Sequence, residues 1–246
     1  MTGLGACGSL VGSEGQIRLT SNVALERPIP EGTEVTLTCS SDSSSGSGVL
    51  RILRRRGGGE GIDGFEDLAD YATRVVQISA DRPDIAATFV VSRKDDGSVF
   101  ICGDVETLGF QSQTSVVSRT IRIQFDPRSL SLKSLPEGRM REDMSKVIIC
   151  QTDEGGANPA VNVTWRHLSP LGGIEALGEG MHFTSAHRMS TSGNGRGFVT
   201  QSNLTVIAHR RLNGHRIECS VEKPERIALL RQSETLEVIF LYLYFQ

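Results

Sequence analysis

The chain has 246 residues, of which 26 are basic and 29 acidic, for a formal charge of -3. That weakly acidic balance argues against nucleic-acid binding, which needs a positive surface, and no apolar run reaches the roughly 18–20 residues that cross a bilayer. Aromatic content of 5% and hydrophobic content of 38% are lean for one large core and sufficient for two small sandwiches. In chain order, residues 1–16 have neither a basic n-region nor an apolar h-region, so no signal peptide is read there. They are expected to be a poorly ordered N-terminal segment. Glu34-Val-Thr-Leu-Thr-Cys-Ser40 alternates, with Val35, Leu37 and Cys39 on one face, and reads as a strand. Residues 65–75 are expected to form short helical turns. Arg119-Thr-Ile-Arg-Ile-Gln-Phe125 puts Ile121, Ile123 and Phe125 on one face, and Asp126-Pro127 ends it. The domain seam is placed there, because Ser129-Leu-Ser-Leu-Lys133 begins another strand at once. Strands follow over residues 146–152, 161–165 and 198–207, with short helical turns expected over 174–181. Leu236, Val238 and Phe240 mark a final strand before a tail at 241–246. Gly- and Ser-rich pieces at 40–48, 57–64, 153–159 and 190–197 read as turns. Many short strands with such turns predict an all-β fold.

The five cysteines are Cys7, Cys39, Cys102, Cys150 and Cys219. Cys39 and Cys102 are 63 positions apart, and Cys150 and Cys219 are 69 apart. No C-x₂₋₄-C knuckle of the kind that holds zinc is present. The spacing suits one bridge between two sheets in each of two domains, each worth about 4 kcal/mol in the chain-entropy account. The competing reading is five buried thiols in a reducing compartment. Cys7 is left over in either case.

These residues resemble the immunoglobulin superfamily. In the first half, Glu31-Gly-Thr-Glu-Val-Thr-Leu-Thr-Cys39 is similar to the family's B strand. Asp96-Gly-Ser-Val-Phe-Ile-Cys102 is similar to the signature ahead of its second cysteine, with Phe100 in the usual tyrosine position. Ile52 falls where the core tryptophan is usual, which implies a smaller, aliphatic core. In the second half, Cys150, Asn158-Pro-Ala-Val-Asn-Val-Thr-Trp165, Asn203-Leu-Thr-Val-Ile207 and Asn213-Gly-His-Arg-Ile-Glu-Cys219 follow in family order. This half resembles the C2-type domains of nectin-like and nephrin-like cell-adhesion receptors. The resemblance implies two tandem immunoglobulin-like β-sandwiches: a variable-like domain over 17–126 and a C2-type domain over 127–240. It also implies the disulfides Cys39–Cys102 and Cys150–Cys219, and an extracellular setting. Sequons at Asn162 and Asn203 have outward strand parity and agree with that setting.

No catalytic constellation is found. Gly57-Gly-Gly-Glu-Gly61 lacks the lysine of a phosphate loop and reads as a hairpin loop. The five histidines, all in the second half, read as scattered surface residues and not as a metal site. Arg54-Arg-Arg56 reads as the solvated end of a strand. No cofactor, metal ligand or enzymatic activity is therefore expected. The resemblance implies a receptor module that recognises a protein ligand, or a copy of itself on an apposed cell, through its first domain. The site would be the sheet formed by strands C, F and G and the loop over 104–115. Phe110 would be an aromatic anchor, with Arg51 and Arg54 as rim charges. The alternative is a soluble secreted recognition protein of innate immunity. An intracellular structural array of such domains is a third reading, and it predicts free thiols.

Overall fold

A computed structural model of the chain describes residues 17–42, 49–56, 65–78, 84–104, 117–190, 197–223 and 226–240. The chain falls into two compact units, Met1–Arg122 and Ile123–Gln246. The first holds β1 (Ile17–Ser21), β2 (Ile29–Pro30), β3 (Glu34–Ser41), β4 (Leu50–Arg55), β5 (Phe65–Asp67), β6 (Arg74–Gln77), β7 (Ile85–Val90), β8 (Val99–Asp104) and β9 (Val117–Thr120). Its two four-stranded antiparallel sheets have the orders β1-β3-β7-β6 and β5-β4-β8-β9. The second unit holds β10 (Ile123–Gln124), β11 (Leu130–Leu135), β12 (Met140–Arg141), β13 (Ser145–Thr152), β14 (Val163–Leu168) and β15 (Ile174–Glu175). It continues with β16 (Met181–Met189), β17 (Phe198–Ile207), β18 (Arg216–Lys223), β19 (Arg226–Thr235) and β20 (Val238–Ile239). Its main sheets run β11-β13-β17-β16 and β15-β14-β18-β19. Lettered along the chain, both units are an A-B-E-D sheet with a C′-C-F-G sheet, the arrangement of an immunoglobulin-like sandwich.

Alternation produces the buried faces. Val35, Leu37 and Cys39 are fully buried on β3, while the residues between them are only partly covered. On β14, Val163 and Trp165 point inward. Some expectations change. Residues 65–75 hold only one 3₁₀ turn, Leu68–Asp70, between two strands, and Ile174–Glu175 is a strand. The run over 119–125 buries Ile121, Ile123 and Phe125 as expected, but it breaks between β9 and β10. The final strand is split: β19 ends at Thr235, and only Val238–Ile239 follows as β20, paired in parallel with β12.

A disulfide joins Cys39 on β3 to Cys102 on β8, and another joins Cys150 on β13 to Cys219 on β18. Each links one sheet to the other. Around the first, Phe89 and Phe100 stack with ring centroids 5.3 Å apart, and Tyr71 lies 5.9 Å from Phe89. The core of the first unit is thus partly aromatic, with its rings supplied by β7, β8 and the turn after β5. Around the second, Trp165 pairs opposite Cys219, and its Nε1–H donates to Ser202 Oγ at 2.8 Å. Lys146, fully buried on β13, donates from Nζ to Glu234 of β19 at 2.6 Å and to Gly138 O at 2.9 Å. That pair is a second clamp between the sheets.

The turn at residues 153–159 needs its glycine. Gly156 has φ of +61°, and a Cβ there would lie 2.6 Å from Phe198 O. Gly156→Ala is expected to destabilise the second unit by about 1–3 kcal/mol, since the β17 backbone would have to shift. The midpoint of denaturant unfolding followed by Trp165, the one tryptophan, checks this.

Candidate protein-binding face

Residues on β4 alternate between the two faces of the sheet. Leu50, Ile52 and Arg54 are buried together, and Arg51, Leu53 and Arg55 point the other way. Arg54 is therefore not a rim charge, nor is it part of a solvated strand end: its side chain is 1% exposed. Its Nη1 donates to Asp95 Oδ1 at 2.8 Å and its Nη2 to Glu66 Oε2 at 2.7 Å. The guanidinium carbon lies 3.8 Å above the centre of the Tyr71 ring. Asp95 Oδ2 in turn accepts from the Ser92 N–H and O–H and from the Tyr71 hydroxyl. The physical reason for the burial is pairing: a guanidinium enters a core only where carboxylates and an aromatic face replace its water. The Arg54 hydrogen bond holds the Glu66 carboxyl below its ordinary value. Burial, followed by the charge of Asp95, holds the Tyr71 phenol above its own.

The opposite face of the β5-β4-β8-β9 sheet is different. Leu53 stands opposite Ile101 and Asp67, Arg55 opposite Val99 and Phe65, and Arg51 opposite Gly103. Leu53, Ile101, Val99 and Phe65 are all partly exposed. They form an apolar centre on a face turned away from the core. Arg51 is half exposed and donates to Asp67 at 3.0 Å. The Arg55 guanidinium lies 5.1 Å from the centre of the Phe65 ring. Aliphatic and aromatic residues interleaved with arginines are the composition enriched at protein interfaces. Phe110, most of the 104–115 connection, the segment 1–16 with Cys7, the Gly57-to-Gly61 run and the tail at 241–246 lie outside the described residues.

The corresponding face of the second unit is polar along β18 and the start of β14, and apolar at the end where Leu168 pairs with the exposed Ile174. Thr164 and Ser220 exchange a hydroxyl bond at 2.9 Å, and Arg231 pairs with Glu218 at 3.2 Å. Asn162 is exposed just ahead of β14. Asn203, on the outer face of β17, is partly exposed, and its Oδ1 accepts from Gln201. The histidines are not uniformly scattered over the surface. His167 is buried and its Nε2 lies 2.8 Å from His215 Nδ1. This pairing is invisible in the sequence, because sheet register and not chain spacing makes it.

Residues 131–227 match the family model of the CD80-like C2-set immunoglobulin domain. No curated protein matches the chain by sequence. Among solved structures, the chain is similar to that of Rst D1-D2, with 15% identity over 90% of this chain and 99% of that one and a TM-score of 0.54. It is also similar to the full ectodomain, Ig1-Ig3, of mouse nectin-like molecule 4, with 18% identity over 92% of this chain and 64% of that one and a TM-score of 0.46. The family match covers most of the second unit, and the two disulfide-joined sandwiches give the chain the fold of tandem immunoglobulin-like domains. Among the described residues no helix is long and apolar enough to cross a membrane.

Proposed function

We propose that this chain is an extracellular recognition module of a cell-surface adhesion or immune-type receptor, and that it binds a protein partner through the outer β5-β4-β8-β9 face of its first unit. The observation that carries this reading is the set of partly exposed Leu53, Val99, Ile101 and Phe65 on one face, with Arg55 between Phe65 and Val99 and with Arg51 beyond Leu53 along β4. Burying it against a partner would gain roughly 25 cal/mol for each Å² of apolar surface removed from water. The second unit supports the same assignment by contrast. Its matching face is polar around Thr164, Glu218 and Ser220, and sequons at Asn162 beside that face and at Asn203 on the opposite sheet would place glycans where close packing would otherwise occur. Phe110, in the connection from β8 to β9, is assigned as a further anchor. Arg51 keeps its rim role, and Arg54 serves the core. The two disulfides fit an oxidising, extracellular setting. Single contacts of this kind are weak, and arrays on apposed surfaces multiply them.

Beads coated with the chain test this, scored for clustering with one another and for attachment to a panel of cells. Ile101→Asp puts an unpaired charge at the centre of the face and is expected to reduce binding at least about tenfold, as a loss of roughly 1.4 kcal/mol or more. Phe110→Ala is expected to weaken it less. Far-UV circular dichroism confirms that the variants fold. Undiminished binding by folded Ile101→Asp would move the interface elsewhere.

A further inference from the structure

At one end of the second unit, β14, β15 and the turn that leads into β18 bring two imidazoles and a carboxylate together. β14 and β15 set His167 opposite Glu175, and β14 and β18 set His167 opposite Ile217. His215 lies two positions before Ile217 in the chain, so it falls on the same side of the sheet as His167. That is the inward side, which His167 shares with Val163 and Trp165. A position of that parity in a sandwich is ordinarily apolar, and burying an imidazole there costs desolvation. The rings stack with centroids 4.9 Å apart and planes 30° apart. His215 Nδ1 lies 2.8 Å from His167 Nε2. The Glu175 carboxylate lies 3.6 Å from His167 Nδ1 and 3.8 Å from His215 Nδ1. One ligand atom from each residue can be chosen so that all three lie within 4.8 Å of one another.

We infer that His167, His215 and Glu175 form a binding site for a divalent transition metal of borderline softness, with Zn²⁺ the best match. The chemistry of the donors selects the class. Two imidazole nitrogens and one carboxylate suit zinc and its neighbours, whereas magnesium and calcium take oxygen. The local arrangement supplies an orienting partner as well. His167 Nδ1 is 3.4 Å from the Ala176 carbonyl, which favours the tautomer that leaves the Nε2 lone pair facing His215. Zinc–ligand bonds of about 2.0–2.1 Å in a tetrahedron put donors roughly 3.3 Å apart. The 2.8 Å nitrogen pair must open slightly, the proton that His215 Nδ1 donates across it must move to that ring's Nε2, and the Glu175 carboxylate, now 3.6 Å from the Nδ1 edge of His167, must swing toward its Nε2 edge. Glu175 has that freedom, because its side chain is 46% exposed. The exposed side also leaves room for a fourth ligand, water or a group from another molecule. A metal there would tie β14, β15 and β18 together at the open end of the sandwich.

The test uses the full chain, stripped with chelator and titrated with ZnCl₂ in a calorimeter. The expected result is one strong site per chain and a rise of several degrees in the unfolding midpoint of the second unit. His215→Gln and Glu175→Gln change only partly exposed side chains. Each is expected to weaken zinc binding at least about tenfold and to abolish the rise in midpoint. His209→Gln, at an exposed histidine outside the cluster, is expected to bind as the parent does. MgCl₂ is expected to give no saturable heat. The inference is overturned if the folded His215 and Glu175 variants bind zinc like the parent, if the parent shows no saturable site, or if magnesium binds equally well.

Discussion

Asp95→Ala is expected to lower the stability of the first unit by about 3–5 kcal/mol, the range for removing one partner of a buried ion pair. The loss has three parts that act together. The Arg54 guanidinium, 1% exposed, keeps Glu66 as its one charged partner, with a side chain 53% exposed, and the face of the Tyr71 ring. Arg54 Nε already has no hydrogen-bond partner, so the group has no spare contact to fall back on. The Ser92 N–H, the Ser92 hydroxyl and the Tyr71 hydroxyl lose their shared acceptor at the same time. Glu66→Ala is expected to cost far less, because water reaches that carboxylate. Denaturant unfolding followed by far-UV circular dichroism would show an early transition in Asp95→Ala. Trp165 fluorescence, which reports the second unit, is expected to keep its midpoint. An Asp95 variant as stable as the parent would mean that the buried network contributes nothing net.

Trp165→Ala is expected to cost the second unit a similar amount, about 3–5 kcal/mol, for a different reason. The indole sits between the sheets, beside the Cys150–Cys219 bridge and among Ile148, Leu204 and Val221 in one cluster. Truncation removes its buried surface and leaves a cavity, and the covalent bridge limits how far the walls can collapse. The polar part is smaller. Ser202 Oγ keeps Ser185 and the Thr184 carbonyl when the indole N–H is gone. Trp165→Phe, which retains a ring and loses the N–H, is therefore expected to cost about half as much or less. Circular dichroism must follow both variants, since the fluorophore is removed. Equal losses for phenylalanine and alanine would place the value of Trp165 in its hydrogen bond and not in its packing.

The fold was legible wherever one face of a strand is buried. Val35, Leu37 and Cys39 announce β3 because water is excluded from one side of it only. β16 gave no such signal: from His182 to Met189 its residues are exposed, as befits a strand at a sheet edge. β19 was missed because an aliphatic run passes directly into Arg231-Gln-Ser-Glu-Thr235 without alternation. Arg54 shows strand parity outweighing charge. Two residues three apart on a strand cannot share a face, so Arg51 and Arg54 could not both frame one surface. Side-chain charge argued for solvent, and parity with Leu50 and Ile52 argued for the core. The partners Asp95 and Tyr71, distant in sequence, decide in favour of the core. The apolar face was legible as to sheet but not as to residues, since Phe65 and Ile101 join Leu53 only through pairing across three strands. The histidine cluster was hidden for the same reason.

The recognition account is tested most directly by shielding the proposed face with a glycan. Arg51→Asn combined with Leu53→Thr creates a sequon on β4 at the outer surface. Expression in a secretory host and mass analysis establish that the new sequon carries the sugar, while Asn162 and Asn203 keep whatever glycans they bear in the parent. The account predicts that coated beads lose clustering and cell attachment when position 51 is glycosylated, and that enzymatic removal of the sugar restores part of it. Full binding with the glycan in place on a folded chain would contradict it.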